Sequence, residues 1–338
     1  MSPEVPPLPH PRETPPLPGE PISRGSRLAR ARGRLTLPTL RRATGLLDGR
    51  HKSVFVGHGQ DFDDLSQYRP GDDVTDIDWK ASARSGQPII KRYQRESNLP
   101  LVLAVDTGRT MAAQTPTGED KRTLALAVAE IFSYLARMRG DTVALVAGDS
   151  QRLITRPPRS GAEHAEMLLS ILARAWAELE APATDAERLP DLRPDAPVSD
   201  VRQLLGRVIT WHPHRSLVIL LTDTSHPDET AVDQLRRLSA QHELVVVQVA
   251  DDVAVRPGAG RARDVEMSAE LPAFLREDAS LAKTLEQEVM GRRQAVAQLL
   301  DRRHIEHVTV ESEDTLIDSL ADLLERQRRL AAVGRGRR

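Results

Sequence analysis

From Leu101 onward the chain switches between short unbroken apolar runs and longer stretches in which apolar residues recur every three or four positions. Leu101–Val105 is such a run, closed by Asp106. Lys121–Arg139 then has helical spacing, with Leu124, Val128, Ile131 and Leu135 on one face. The same reading predicts strands at Thr142–Ala147, Ser216–Thr222, Leu244–Ala250 and His307–Val310, with Gln151–Thr155 pairing beside the first of these. It predicts helices at Gly161–Leu179, Val201–Val208, Asp228–Gln241, Ser280–Arg303 and Asp314–Arg328. Strands alternating with helices imply right-handed crossovers and an α/β fold, a mostly parallel sheet with helices on both faces. Near-continuous apolar strands fit burial on both sides. Residues 181–198 and 251–278, rich in Pro, Asp and Arg, read as long loops.

The pattern is different before residue 99. Ser53–Val56 and Pro88–Tyr93 are strand-like pieces around a polar, Asp-rich middle, which predicts a β-rich element over residues 40–98, ahead of an α/β domain over 99–330. Prolines at 3, 6, 7, 9, 11, 15, 16 and 18 favour extended polyproline II and lack amide donors, so residues 1–39 are expected to be a disordered tail. Between Arg24 and Lys52 nine basic residues face one acid, Asp48. Such a run either attracts an anionic lipid surface or an acidic partner, or is a solvated basic face. Arg326, Arg328, Arg329, Arg335, Arg337 and Arg338 repeat the theme, residues 331–338 forming a basic tail.

Composition narrows the classes. Apolar residues make up 39% of 338, enough for a buried core, but aromatics only 3%, so that core rests on Leu, Val, Ile and Ala. With 47 basic against 49 acidic residues the net charge is −2, which argues against a nucleic-acid binder. The lack of cysteine removes thiol catalysis, iron–sulfur clusters and cysteine-ligated zinc, and fits a reducing compartment. No apolar stretch approaches the ~18–20 residues of a membrane span, and the N-terminus has no apolar signal region, so a cytoplasmic location is expected. Neither a G-x-x-x-x-G-K-[ST] loop nor a G-x-S-x-G elbow is present.

Two segments carry candidate chemistry. In residues 57–96, seven aspartates (61, 63, 64, 72, 73, 76 and 78) crowd into 18 positions around the turn Arg69-Pro70-Gly71-Asp72. Carboxylates this dense must cap backbone amides, pair with Arg69, Lys80, Arg84 and Lys91, or hold a cation. The spacing is not that of an EF-hand. Trp79 is expected to bury against the α/β core, with a stability contribution of about 3–5 kcal/mol. The second segment is Asp106-Thr107-Gly108-Arg109-Thr110, in the crevice at the carboxyl end of a parallel strand, where an aspartate and hydroxyls can ligate a hard divalent cation. Asp223 ends another apolar run. Both aspartates can also serve as plain helix caps. His212-Pro213-His214 reads as a surface pair.

The string G-x-G-x-D-F-D-D-L-x-x-Y-x-P-G-D-D-x-x-x-I-D-W-x-x-S-A-R over residues 57–84, followed by K-R-Y-x-x-E, resembles the signature of the domain of unknown function 58 family. That resemblance covers roughly residues 40–330 and implies a von Willebrand A-like, Rossmann-like domain that works with a MoxR-type AAA+ ATPase. It also implies a metal-ion-dependent adhesion site. Asp106 matches its first aspartate, Thr110 its second hydroxyl and Asp223 its later carboxylate. The threonine before a helix maps best onto Ser199-Asp200, with Thr184-Asp185 as the alternative. Gly108 stands where the family pattern has the first serine, which implies weakened Mg²⁺ or Mn²⁺ binding that Gly108→Ser should strengthen. The signature residues Asp61, Asp64, Tyr68, Pro70, Gly71, Asp72, Asp73, Asp78 and Trp79 are expected to be structural and to face a partner. The expected function is a non-enzymatic interaction module, an adaptor that brings client proteins to the ATPase in protein assembly or metal insertion, without nucleic acid. A metal-dependent hydrolase using the Asp-rich segment, and a peripheral membrane-surface scaffold held by the basic arms, are the alternatives.

Overall fold

The computed structural model describes residues 24–35, 37, 61–68, 77–94, 100–181, 192–252, 263–265, 269–270 and 279–333. In chain order these form α1 (Arg24–Arg34), β1 (Asp61–Gln67), α2 (Trp79–Ser85), β2 (Ile89–Gln94), β3 (Leu101–Asp106), α3 (Lys121–Met138), β4 (Val143–Gly148), β5 (Leu153–Arg159), α4 (Ala162–Ala177), α5 (Val201–Trp211), β6 (Leu217–Asp223), α6 (Val232–Gln241), β7 (Glu243–Val249), the short pair β8 (Arg263–Asp264) and β9 (Ala269–Glu270), α7 (Ala279–Arg302), β10 (Glu306–Val310) and α8 (Glu313–Val333).

Six strands make one sheet in the order β10-β7-β6-β3-β4-β5. All neighbours are parallel except the edge pair β4–β5. This is the doubly wound order, with the first core strand at the centre. Strand side chains alternate between two clusters, as period two requires. Leu101, Leu103 and Val105 of β3 join Leu217, Ile219 and Leu221 of β6 against Phe132 of α3, Leu168 and Trp176 of α4 and Leu320 of α8. Val102, Ala104, Val218 and Leu220 face Leu204 and Val208 of α5, Leu235 and Leu238 of α6 and Leu300 of α7 on the other side. Burial on both faces is why β3 and β6 are apolar along most of their length and turn polar only at their carboxyl ends, at Asp106 and at Thr222-Asp223.

The basic segment expected to be part of the tail begins in fact with a folded helix. α1 packs on α3 and α8, with Ala31 fully buried and Leu35 and Leu37 at 5% and 3% exposure. Arg27 is the reason: its guanidinium reaches Glu130 of α3 at 3.0 Å, and its Nε donates to Glu313 of α8 at 2.8 Å. Arg34 pairs with Asp318 of the same helix. Among the described residues, Arg27 is thus engaged in a mostly buried pair and Arg34 in an exposed one.

The signature segment forms a separate layer of structure. β1 and β2 pair antiparallel, from Asp61 opposite Gln94 to Gln67 opposite Ile89, and the backbone of Tyr68 donates to Pro88 at 2.8 Å. The Asp78 carboxylate caps α2 by accepting from the amides of Lys80 and Ala81, each at 3.0 Å. Gly86 closes the helix in the left-handed conformation at φ 71°. Trp79 departs from expectation. It is the first residue of α2, a helix with no buried residue, and it is 73% exposed. Among the described residues the helix packs chiefly on β2, and its indole stands outside the α/β core. Ser53–Val56, Pro70, Gly71, Asp72 and Asp73 lie outside the described residues, as do the side chains of Asp61 and Asp64.

His212, read as a surface residue, is buried where α5 meets β6; its Nε2 lies 2.8 Å from the Ser216 hydroxyl. Its ring stacks at 6.3 Å on His242, which precedes β7. Neither ring nitrogen of His242 has a hydrogen-bond partner among the described residues. Burial, with the charges of His212 and Arg215, pushes its pKa down to about 4.

Two stability predictions follow from this packing. Arg27→Ala removes the cation from two mostly buried carboxylates and should cost about 2–4 kcal/mol in a denaturant titration; an unchanged midpoint would show that α1 is not part of the cooperative unit. His242 stays neutral in the fold down to about pH 4, whereas the unfolded chain protonates it at its ordinary value of 6.5. Its contribution is therefore intact above pH 6.5 and is lost as pH falls toward 4. His242→Leu should shrink the drop in melting temperature between pH 7 and pH 5.

Candidate metal centre

Asp106 and Asp223 end β3 and β6, which run side by side in parallel register. Both carboxylates are buried at 1% exposure. Each is steadied by the loop that follows its strand. Asp106 Oδ1 accepts from the Gly108 amide at 2.8 Å and Oδ2 from the Thr222 hydroxyl at 3.0 Å. Asp223 Oδ1 accepts from the Ser225 amide at 2.8 Å and lies 2.8 Å from His226 Nδ1. Neither aspartate caps a helix, as both were expected to be able to do; each instead accepts from an amide two residues on in its own loop, and the two come close together. Ligand atoms of Asp106, Asp223 and His226 all lie within 4.8 Å of one another.

Two hydroxyls flank this cluster. Thr110 Oγ1 and Ser199 Oγ are 2.7 Å apart. Ser199 arrives on the loop before α5, which is tied down on both sides: the Arg109 amide donates to Pro197 O at 2.8 Å and the Ser150 amide to Val198 O at 2.9 Å. Asp200 next to it caps α5 through the Gln203 amide. The competing Thr184-Asp185 lies outside the described residues.

Gly108 reverses an expectation. A Cβ at this position would lie 2.4 Å from both the nitrogen and Oγ of Ser199 and 2.5 Å from its Cα. The glycine is therefore not simply a missing ligand. Its bare backbone is what allows the Ser199 loop, hydroxyl included, to close on the first strand's loop.

Below the cluster sits a cation that sequence reasoning missed. Lys121, the first residue of α3, is fully buried. Its Nζ donates to Thr110 O at 3.0 Å and pairs with Asp251, just after β7. The Asp251 carboxylate also accepts from the Thr224 hydroxyl at 2.6 Å. Gln248 of β7 donates to His226 O at 2.8 Å. The loops after β3, β6 and β7 are thereby fastened to one another.

The electrostatics follow from burying two carboxylates together. Burial and the neighbouring Asp223 charge raise the pKa of Asp106, against the His226 charge, the Gly108 amide and the Ser199 hydroxyl. Burial also acts to raise Asp223, but the His226 hydrogen bond, the Lys121 and His226 charges and the Thr110 hydroxyl prevail and hold it well below the usual carboxylate range. His226, which burial would lower, is pushed up to about 9 by its hydrogen bond to Asp223 and by the charges of Asp223, Asp106 and Asp228. His226 lies three residues past Asp223, and the only sequence signal for it was that closeness. Two carboxylates, an imidazole and two hydroxyls form a donor set that fits a divalent cation.

The sheet order, the paired strand-end aspartates and the hydroxyl-bearing loops define a von Willebrand A-like domain preceded by a β-hairpin and a short helix. Residues 64–295, more than half of the chain, match the family described as protein of unknown function DUF58, and the chain belongs to that family. Uncharacterized proteins of Mycobacterium tuberculosis and Mycobacterium bovis are each 26% identical to it over 231 residues, 67% of this chain. The chain spans 66% of the length of these relatives. Among solved structures it is similar to an aerotolerance-related membrane protein from Bacteroides fragilis, at 13% identity and a TM-score of 0.38 over 68% of this chain and 99% of that one. It is also similar to a von Willebrand factor type A protein from Catenulispora acidiphila, at 10% identity and a TM-score of 0.34 over 70% of this chain and 43% of that one.

Gly108→Ser should therefore lower the melting temperature and loosen the Ser199 loop rather than strengthen the site. A variant more stable than the parent, with tighter Mg²⁺ binding, would overturn this account of the glycine.

Proposed function

We propose that the chain is a non-enzymatic docking module whose carboxyl-edge site binds a divalent cation, with one coordination position left for a carboxylate of a partner protein. The observation that carries this reading is the convergence of Asp106 and Asp223 beside the Thr110 and Ser199 hydroxyls in the crevice of a parallel sheet. Two buried carboxylates at such an edge are costly without a cation and favourable with one. The half-buried Ser199 and His226 form the rim through which a partner would reach the ion, and Val198 beside them is 48% exposed. The cation is of the Mg²⁺ or Mn²⁺ type, and the partner we favour is a MoxR-type AAA+ ATPase, with the module presenting client proteins to it. In this reading the signature hairpin, with the exposed Trp79, is a second face for partners. Docking takes place in the cytoplasm, where the exposed Arg30 and Arg32 of α1 can rest against an anionic membrane surface. No helix among the described residues is long and apolar enough to cross a membrane.

The test is a pull-down of a MoxR-type ATPase by the full chain, with Mg²⁺ or Mn²⁺ present and after chelation. Capture should depend on the cation and fall at least ~10-fold with Asp106→Ala or Asp223→Ala, as for loss of a metal ligand. Capture that survives chelation and both substitutions would move the docking surface elsewhere.

A further inference from the structure

We propose that His226 is itself a ligand of the ion, so that the site selects a nitrogen-accepting divalent ion of the Co²⁺ or Zn²⁺ class over Mg²⁺; this rests on the metal-dependent reading above. The ligands that the family resemblance implied, Asp106, Thr110, Ser199 and Asp223, supply oxygen alone. The structure adds an imidazole to them. A ring nitrogen of His226 shares a sphere of 4.8 Å with one oxygen from each aspartate. Donors at about 2.0–2.2 Å from a common ion lie about 3 Å apart when adjacent and about 4 Å apart when opposite, so groups within 4.8 Å of one another need to close by less than about 1 Å to share an ion. The ring is held in place. Gln248 fixes its backbone carbonyl, and the Ser225 amide and His226 Nδ1 meet on the same oxygen of Asp223. Its side chain is 19% exposed while that of Asp223 is 1% exposed, so the imidazole stands between the carboxylates and the crevice mouth.

Ligand chemistry then decides the ion. Mg²⁺ prefers an all-oxygen octahedron and keeps its waters, whereas imidazole suits Zn²⁺, Co²⁺ and Ni²⁺ and follows the rising affinity order of the first-row series. Two carboxylates, one imidazole and adjacent hydroxyls form a mixed set that a nitrogen-accepting ion uses in full once it displaces the proton between His226 and Asp223. Lys121 does not block such an ion, because its ammonium is engaged by Asp251 and Thr110 O. The competing role for His226 is a hydrogen-bond partner that only holds Asp223 in place, and the two roles predict different selectivity.

The experiment titrates the full chain, at one fixed pH, with Co²⁺ and with Mg²⁺ by calorimetry, and follows the visible absorption of Co²⁺. The parent should bind Co²⁺ at least ~10-fold more tightly than Mg²⁺, as expected once nitrogen enters the ligand set. His226→Ala and His226→Gln should each weaken Co²⁺ by about 10-fold or more and change its spectrum, while Mg²⁺ moves by less than about 3-fold. Asp106→Ala should abolish both and so exclude adventitious Co²⁺ at His212 or His242. Metal-free melting curves confirm that each variant is folded, and Gln keeps most of the volume of the ring. Equal loss of Co²⁺ and Mg²⁺ in the His226 variants, or a parent without preference, overturns the ligand assignment and leaves metal-dependent docking standing. A parent that binds neither ion at millimolar concentration overturns both.

Discussion

Two carboxylates buried side by side at the ends of adjacent parallel strands are a liability that the surrounding structure must offset. At 1% exposure each, Asp106 and Asp223 have little water to screen them, and like charges in such a place repel strongly. The fold answers with fixed partners. Two loop amides, the Thr222 hydroxyl, the His226 ring and the buried Lys121 each direct positive character toward the pair or its loops. The effect falls unevenly. Asp223 takes His226 and the influence of Lys121 and is held ionised, while Asp106 is raised by burial and by its neighbour. The same environment thus pushes the two neighbouring carboxylates in opposite directions.

The offset requires loops far apart in sequence to meet within bonding distance, and that explains features that would otherwise look incidental. Lys121 opens α3, yet its charge is used at the far end of β7, where Asp251 receives it and in turn accepts from the Thr224 hydroxyl after β6. Gly108 has no side chain because the Ser199 backbone passes where a Cβ would stand. Thr107 bonds Asp149 at 2.9 Å, and the β4–β5 turn also holds the Ser199 loop through Ser150. Each contact fixes an irregular segment whose backbone donors would otherwise need water.

Legibility in the sequence followed how local each cause is. β3, β4, β6 and β7 were readable as largely apolar runs because both of their faces are covered, and Asp106 and Asp223 stood out as the carboxylates closing such runs. Ser199 was readable from its place before α5. β1 was not, since DFDDLSQ has neither an apolar run nor clean alternation and pairs only because β2 supplies the partner. α1 looked like a solvated basic run because Glu130 and Glu313, which neutralise Arg27, lie 103 and 286 residues away. His226 and Lys121 carry no motif; their significance is a matter of distance across the sheet's carboxyl edge. Gly108 was misread for the same reason, as a lost ligand rather than a point of close approach. Trp79 was misread because rarity and size argue for burial only where a core is within reach.

The position of Trp79 has a further consequence for how the two halves of the family match relate. The match begins in β1 and ends in α7, so it holds both the hairpin and the carboxylate cluster, but it stops before β10 and α8. Those last elements contribute Val310, Leu316 and Leu320 to the core, and α8 anchors α1 through Glu313. They serve packing, where many apolar sequences suffice. The hairpin serves packing poorly: α2 buries none of its residues and leaves its tryptophan in water. A short capped helix that spends Asp78, Ser82 and Gly86 on holding its own shape, while presenting a large indole to solvent, is organised like a binding surface whose geometry is set in advance. The carboxyl-edge cluster shows the same economy, with its groups fixed by hydrogen bonds before anything binds. Costly groups on hydrogen-bonded supports, an exposed indole at one place and buried carboxylates at another, are what the two regions share, and packing alone accounts for neither.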